Sequence, residues 1–455
     1  MKRRHFLLAG AGGFVATLLS GVLGRDGSIA DAARPTHTPK PTPTATPVPT
    51  PTPVPTPTPT PGPGGTWYVA PTGSDTNPGS ITQPFFTVNK AVSSATAGDT
   101  IYMRGGTYAY NATQNLNKSG AAGALFNLFA YTGEHPVIDF SSQPVADASR
   151  GFLITGNYWY LKGLEIGHAG DNGIKLESGN CTLEMLTVHH SADTGIQAGN
   201  STTPSAVANN LILNCDSYRN YDRATSGGNA DGIDIKLGSG VGNVIRGCRC
   251  WENSDDGYDL YDANQPITIE SCWAWHNGDP ALFGAGTSGW AGNGNGFKLG
   301  SANVAASHTV KNCVAFDHVY GDGTSTTKGF DQNNNTASQT IYNCTAWNNK
   351  VNYSFPAAAS VLKNDVGFAW TQSNTNLASG STQQNDSWTL PVTADAADFQ
   401  SLSATDAAAP RQADGSLPVN GFAKLVLGSD LIDKGVNVGI AYCGAAPDLG
   451  AFESC

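Results

Sequence analysis

Four aspartates, Asp231, Asp255, Asp256 and Asp259, are the residues in this sequence whose types and spacing most clearly favour metal chemistry. Hard divalent cations bind oxygen ligands, and calcium accepts about 6–8 of them in a tolerant geometry. If the chain coils so that successive repeats stack, Asp231 lies beside the other three, although 24 residues separate it from Asp255. Carboxylates this close repel one another unless a cation lies among them. The pattern predicts a calcium site.

The Asp-Asp-Gly turn at Asp255, Asp256 and Gly257 also has a purely structural interpretation, because aspartates in turns commonly cap backbone amides. Neighbouring residues of a strand point to opposite faces. Asp255 and Asp256 can therefore share one ion only at a corner of the chain, which Gly257 would supply. Proximity to Asp231 in a stacked coil favours the metal site over the structural interpretation.

The elements that would position these carboxylates are predicted from repeats. A glycine followed by an apolar or aromatic residue recurs every 22 to 39 residues, within the roughly 20–45 residues expected of stacked solenoid repeats. Short β-branched strands separate these units, without long helical periods. The units are Gly173-Ile174, Gly195-Ile196, Gly232-Ile233, Gly257-Tyr258, Gly296-Phe297, Gly329-Phe330 and Gly367-Phe368. The sequence predicts an all-β protein folded as a parallel β-helix.

Two further columns of side chains follow from the same repeats. Strands ending in cysteine recur at Cys215, Cys248, Cys272, Cys313 and Cys344, and five residues after each lies Asn220, Asn253, Asn277, His318 or Asn349. We expect the amides to form a hydrogen-bonded ladder and the cysteines to act as small buried apolar residues. Near the carboxyl end, Cys443 and Cys455 are predicted to form a disulfide.

Composition and charge narrow the class of protein. The 455 residues include 54 glycines and only 13% charged residues, and the net charge is −11, which argues against nucleic acid as a partner. Residues 1–33 carry a twin-arginine pair and an apolar run, which predict an export signal rather than a membrane anchor. Residues 34–65 are a Pro/Thr-rich linker, and residues 66–455 form the folded domain. We expect a secreted protein that has no membrane segment in its mature form and is associated at most with the cell surface.

The sequence resembles secreted right-handed parallel β-helix proteins that act on polysaccharides. At the amino end it reads W-Y-V-A-P-T-G-S-D and A-G-D-T-I-Y-M-R-G-G-T-Y, and at the carboxyl end P-D-L-G-A-F-E. The resemblance implies an amphipathic capping helix at residues 87–97. The central motifs, N-A-D-G-I-D-I-K-L-G, N-S-D-D-G-Y-D and G-N-G-F-K-L-G, more narrowly resemble pectate lyases of polysaccharide lyase family 9.

This resemblance implies a calcium-dependent β-elimination on polygalacturonate, an acidic plant polysaccharide. The four aspartates match the family's calcium ligands and Lys298 matches its base, which abstracts the C5 proton to give 4,5-unsaturated products. A divalent cation can stabilise the developing enolate, and a neutral lysine near it implies an alkaline optimum. The enzyme is expected to act as a monomer.

Residues near the aspartates supply further candidates for binding the substrate. Lys236 follows Asp231 closely and is predicted to bind substrate carboxylates, whereas Lys175 is expected to be a solvated, outward-facing side chain. Tyr258 and Tyr261 are candidates for stacking on sugar rings.

Two other functions remain open from the sequence. One is a galacturonan hydrolase with paired carboxylates, whose family usually carries a Gly-His-Gly segment that this sequence lacks. The other is a non-catalytic, calcium-stabilised surface or adhesion protein. The substrate is equally open among plain pectate, a rhamnogalacturonan and another uronan.

Overall fold

Three parallel sheets wind around one hydrophobic core in the computed structural model, which describes residues 64–321 and 326–454. Within these ranges sheet A has twelve strands, and sheets B and C have ten each. Every neighbouring pair of strands in the three sheets is parallel, and from β2 onward the chain visits A, B and C in turn. This confirms the predicted parallel β-helix.

The strands of each sheet, in chain order, have the following bounds. Sheet A consists of β1 Thr66–Val69, β2 Thr100–Met103, β5 Phe126–Ala130, β8 Trp159–Lys162, β11 Thr182–Glu184, β14 Leu211–Leu213, β17 Val244–Arg246, β20 Thr268–Glu270, β23 Thr309–Lys311, β26 Thr340–Tyr342, β29 Val361–Lys363 and β32 Thr382–Gln384. Sheet B consists of β3 Gly106–Ala109, β6 Pro136–Asp139, β9 Glu165–Gly167, β12 Thr187–His189, β15 Asp216–Tyr218, β18 Arg249–Trp251, β21 Trp273–Trp275, β24 Val314–Phe316, β27 Thr345–Trp347 and β30 Val366–Phe368. Sheet C consists of β4 Gln114–Leu116, β7 Phe152–Ile154, β10 Ile174–Leu176, β13 Ile196–Ala198, β16 Ile233–Ile235, β19 Tyr258–Asp259, β22 Phe297–Lys298, β25 Lys328–Asp331, β28 Val351–Phe355 and β31 Ser373–Leu377.

Helices are few and short. The α-helix α1 spans Val88–Ser94, within the predicted 87–97, and the Thr87 hydroxyl accepts a hydrogen bond from the Lys90 backbone amide at its amino end. Its buried residues, Val88, Ala91 and Val92, belong to the main core cluster, as expected of a capping helix. A second α-helix, α2, spans Ala404–Ala407, and 3₁₀ helices span Pro204–Ala206, Pro280–Phe283 and Ala396–Asp398.

The predicted glycine units correspond to sheet C with one exception. The first six each place their apolar residue in a successive strand from β10 to β25, whereas Gly367-Phe368 lies in β30 of sheet B. The glycine pattern of sheet C ends before that unit, because Tyr353 of β28, which follows an asparagine, takes the sheet C position beside Phe330. The expectation that all seven units mark equivalent positions is wrong for the last one.

Both predicted columns are present at the corners of the coil. The backbone amide of Cys215 donates to Sγ of Cys248 (3.3 Å), and seven cysteines of the described residues are free and buried, which confirms their role as buried side chains. Cys443 is disulfide-bonded, and Cys455 lies outside the described residues.

The amides form a ladder at the corner between sheets B and C. Asn220 Nδ2 donates to Asn253 Oδ1 (2.8 Å), and both the backbone amide and Nδ2 of Asn253 donate to Asn277 Oδ1 (2.9 and 3.1 Å). All three residues are fully buried. The ladder therefore satisfies the backbone of each corner immediately before the chain enters sheet C.

The outer faces of sheets B and C differ in what covers them. Apolar residues of the carboxyl-terminal segment, such as Phe422 and Leu431, pack with Trp273, Phe316 and Trp347 in a second hydrophobic cluster against sheet B. The outer face of sheet C instead carries charged side chains from β10 to β25. None of the helices in the described ranges has the length and apolar sequence needed to cross a bilayer.

We expect Asn253→Ala to lower the free energy of unfolding by about 1–3 kcal/mol, because it removes Oδ1 and leaves the buried amide of Asn220 without its acceptor. Chemical denaturation compared with that of Asn117→Ala, a substitution of an exposed asparagine, measures the effect. An unchanged midpoint in Asn253→Ala would contradict the ladder's stabilising role.

Candidate metal and catalytic site

One column of side chains on the outer face of sheet C organises the candidate site. In each glycine unit the residue after the apolar one points outward, because successive residues of a strand alternate between faces. Parallel pairing places these residues in direct register, strand beside strand. The column runs through Lys175, Gln197, Asp234, Asp259, Lys298 and Asp331.

Three of the four predicted aspartates come together beside this column. Oxygens of Asp231, Asp256 and Asp259 all lie within 4.8 Å of one another, and the three side chains are buried. Asp231 and Asp256 lie just before β16 and β19, and the backbone amide of Asp256 donates to Asp231 Oδ1 (3.0 Å). We call Asp231, Asp256 and Asp259 the carboxylate trio.

Asp255 does not belong to the trio. Its Oδ2 accepts from the backbone amide of Asn229 (2.7 Å) and its Oδ1 accepts from that of Asn293 (2.5 Å). It therefore joins the two loops that flank the trio, which is the backbone-capping role that the turn itself suggested. Burial, together with the charge of Asp256, raises the pKa of Asp255 to about 7.

Lys298 lies directly beside the trio. Its Nζ is 3.0 Å from Asp256 Oδ2 and 3.3 Å from Asp259 Oδ2, and it lies 5.7 Å from the centre of the Tyr261 ring. Burial alone would lower the pKa of Lys298, but the carboxylates of Asp256 and Asp259 raise it well above the usual value. In this arrangement Lys298 is an ammonium ion that partly neutralises the trio.

Lys236 is engaged by carboxylates of the chain itself, in contrast to its predicted contact with substrate. Its Nζ lies 2.7 Å from Asp231 Oδ2 and 3.0 Å from Asp234 Oδ2. Sequence reasoning missed Asp234, which is fully buried. The repeat pattern could have pointed to it, because Asp234 in Gly-Ile-Asp takes the same position as Asp259 in Gly-Tyr-Asp.

The two predicted tyrosines lie on different sides of the sheet. The prediction that Tyr258 binds substrate is wrong, because its ring lies in the core, stacked 4.7 Å from Phe297, and is fully buried. Tyr258 follows Gly257 in the inward position of its strand. Tyr261 is 37% exposed beside Lys298, where a sugar ring can reach it.

The side chain of Asn295 holds one member of the trio in place. Both the backbone amide and Nδ2 of Asn295 donate to Asp256 Oδ1, at 2.7 and 2.9 Å. Asp256 Oδ2 accepts no hydrogen bond from the described residues, and Lys298 is its ionic contact. One oxygen of Asp256 is therefore anchored, whereas the other faces the trio.

The carboxylates of the site outnumber its ammonium groups. Two ammonium groups, those of Lys236 and Lys298, face five buried carboxylates: Asp231, Asp234, Asp255, Asp256 and Asp259. Burial raises the pKa of Asp231 well above its usual value, and neighbouring carboxylates raise it further.

The trio fits a hard divalent cation. Its donors are all oxygens, and their mutual separation of up to 4.8 Å matches the roughly 5 Å spanned by two calcium–oxygen bonds of about 2.3–2.6 Å. Three protein ligands leave positions for water or for a substrate carboxylate. The fold and this site together define a parallel β-helix protein that carries, on the outer face of one sheet, a carboxylate group suited to a cation.

Comparison with known proteins identifies the family. The family model for the "Pel9A-like, right handed beta helix region" matches residues 67–376. Pectate lyase L of Dickeya chrysanthemi is 39% identical over 402 residues, which cover 85% of this chain and 90% of that protein. Pectate lyase L of Paenibacillus polymyxa (strain SC2) is 38% identical over 394 residues, which cover 82% and 84%.

Two solved structures are also similar. The crystal structure of pectate lyase Pel9A superimposes with a TM-score of 0.74 at 37% identity, covering 85% of this chain and 96% of that one. A rhamnogalacturonan lyase superimposes with a TM-score of 0.69 at 28% identity, covering 80% and 97%. The chain belongs to the Pel9A-like family of right-handed β-helix proteins, and within it to the pectate lyase-like polysaccharide lyases.

We expect calcium to raise the melting temperature more at pH 8 than at pH 5. The raised pKa values of Asp231 and Asp255 mean that the folded, metal-free protein keeps protons that the unfolded chain releases. The stability that these groups contribute is therefore complete at low pH and is lost as the pH rises through about 7. A cation replaces those protons, so its effect grows over the same range. Calorimetry with calcium or with a chelator measures the difference.

The informative quantity is the difference between the melting temperatures with calcium and with a chelator. A second buried pair, Asp365 and Asp386, also has raised pKa values, and it weakens the protein at high pH whether or not calcium is present. Asp256→Asn should abolish the increase caused by calcium, whereas Asp147→Asn, on the exposed surface, should retain it. An equal increase in both variants would show that calcium binds elsewhere.

Proposed function

We propose that this protein is a secreted, calcium-dependent pectate lyase that cleaves polygalacturonate by β-elimination. One observation supports this most strongly: a lysine amine contacts two carboxylates of a group suited to binding a cation. Elimination beside a carboxylate needs both a base and a positive charge near the substrate's carboxylate. Lys298 is proposed to supply the base and the trio to hold the positive charge, and the two lie side by side on one sheet.

The trio would hold the calcium ion, with Asp255 fixing the loops around it. When bound there, calcium supplies positive charge that neutralises the substrate carboxylate and offsets the charges of Asp256 and Asp259 that keep Lys298 protonated. Asn295 keeps Asp256 Oδ1 occupied, so that Oδ2 remains directed at the site. Lys236 fixes Asp231 through an ion pair and offsets the charge of Asp234.

Lys298 is the proposed base. The neutral amine takes the proton from C5 of a galacturonate residue, and the electron pair forms the double bond between C4 and C5. The bond from C4 to the glycosidic oxygen breaks, and that oxygen takes a proton as the new chain end departs. Tyr261, which is exposed beside Lys298, is proposed to pack against a sugar ring. The need for a neutral lysine favours activity at alkaline pH.

The proposed setting of this reaction is outside the cell, on an acidic plant polysaccharide, with the protein acting as a monomer. Export through the twin-arginine signal at residues 1–33 and spacing by the linker at residues 34–65 are part of the proposal. Residues 1–63, which include the signal and nearly all of the linker, lie outside the described residues.

Chelation should abolish activity on polygalacturonate, and calcium should restore it. Magnesium should restore little, because its smaller octahedral shell suits such a group of protein carboxylates poorly. Following the ultraviolet absorbance of the unsaturated product measures activity and also separates the alternatives. A hydrolase would produce new reducing ends without that absorbance, and a binding protein would produce neither. Absorbance that grows only on rhamnogalacturonan would change the proposed substrate and leave the reaction in place.

Lys298→Ala should lower turnover by about 10²–10⁴-fold, because the proton-transfer group is lost, while calcium still raises the melting temperature. Lys298→Arg should be about as inactive, since guanidinium keeps its charge and does not release its proton near neutral pH. Lys311→Ala, at a lysine paired with Glu270 on sheet A, is the control and should remain active. Substantial activity in Lys298→Arg would show that Lys298 acts by its charge alone.

A further inference from the structure

Lys175 lies on the same outward column as the site but at a distance from it. Its register partners lead in order through Gln197, Asp234 and Asp259 to Lys298, four strands away. At the usual spacing of neighbouring strands, this separation is roughly 19 Å along the sheet. Lys175 therefore belongs to the surface that carries the site and lies beyond the reach of Lys298.

The side chain of Lys175 is buried, in contrast to the solvated position that the sequence suggested. Its exposed fraction is 7%, close to the 8% of Lys298, so the two lysines are buried to a similar degree. Burial lowers the pKa of Lys175, which reflects the cost of holding an ammonium ion away from water. A buried charge normally has a partner of opposite charge, because desolvation is otherwise uncompensated.

Lys175 forms no ion pair within the described ranges. Its Nζ donates to Oε1 of Gln197, a neutral amide, and the carboxylates of Asp234 and Glu177, which favour its charge, lie beyond ion-pair distance. The other end of that amide donates to Asp234 Oδ2 (3.0 Å), which fixes the carbonyl oxygen toward Lys175. Lys236 and Lys298 differ from it, because each contacts two carboxylates.

We propose that Lys175 binds the carboxylate of a distant uronate residue of the same polymer, one that lies several sugars from the bond cleaved at Lys298. This inference rests on the proposed function. A polymer with an acid group on each sugar that follows the column from Lys298 toward the amino-terminal coils brings an anion to the buried ammonium. The amide of Gln197 holds the ammonium in place, and the incoming carboxylate completes its environment. Lys175 thereby favours long acidic chains over short ones.

The test compares a long and a short substrate in calcium. Lys175→Met should lower kcat/KM on octagalacturonate by about 10–100-fold, mainly through KM, as expected when a charged hydrogen bond is lost. On trigalacturonate, which is too short to span the distance between Lys298 and Lys175, it should leave kcat/KM within about twofold. Lys175→Arg should keep most of the preference for the long substrate, because it keeps the charge. The melting temperature of Lys175→Met should not fall, since the variant removes a buried unpaired charge.

Lys311→Met, on sheet A, is the matched control and should leave kcat/KM unchanged on both substrates. Equal losses on both substrates together with a lower melting temperature would assign Lys175 a structural role and overturn the proposal. Unchanged kinetics on octagalacturonate would also overturn it. If the unmodified protein cleaves neither substrate, the proposed function fails. Calorimetric binding of octagalacturonate to the unmodified protein and to Lys175→Met then decides the inference, and equal affinities reject it.

Discussion

The in-register stacking of parallel strands is the constraint on which the rest of this structure depends. It turns repeats separated by 22 to 39 residues in the chain into side chains only one strand spacing apart. On the inner face this produces the stack of Tyr258, Phe297 and Phe330. On the outer face the same strands bring Asp234, Asp259 and Lys298 into one row. Core and candidate site are therefore opposite faces of the same short strands.

Such stacking places like charges together at a cost in stability. The raised pKa values of Asp231, Asp255 and Asp259 all have burial as their largest cause, with neighbouring carboxylates adding to it. Two ammonium groups, anchoring backbone amides and the side chain of Asn295 offset part of this cost. Repulsion among buried charges, concentrated on a scaffold whose corner backbone is hydrogen-bonded, is typical of functional sites.

The loops around the trio link stability to chemistry. Asp255 accepts hydrogen bonds from Asn229 in one loop and Asn293 in the other, and the amide of Ala291 donates to the carbonyl of Ser226 between the same two loops (2.9 Å). The amide ladder holds the corner from which both loops leave sheet B. A residue that takes no part in the reaction can thus influence how well the trio is held.

The sequence by itself determined the parallel β-helix, the cysteine and asparagine columns, and the approach of Asp231 to Asp256, Asp259 and Lys298, because each depends only on repeat spacing and strand alternation. Tertiary structure alone decided what each of these side chains contacts. Asp255 is tied to amides of two loops, Lys236 is paired with Asp234, and Lys175 is buried beside a neutral amide. These outcomes depend on where long loops fold and how each side chain turns on a strand of two or three residues. The contacts of Asp255 join residues 26 and 38 positions apart, and no repeat in the sequence encodes them.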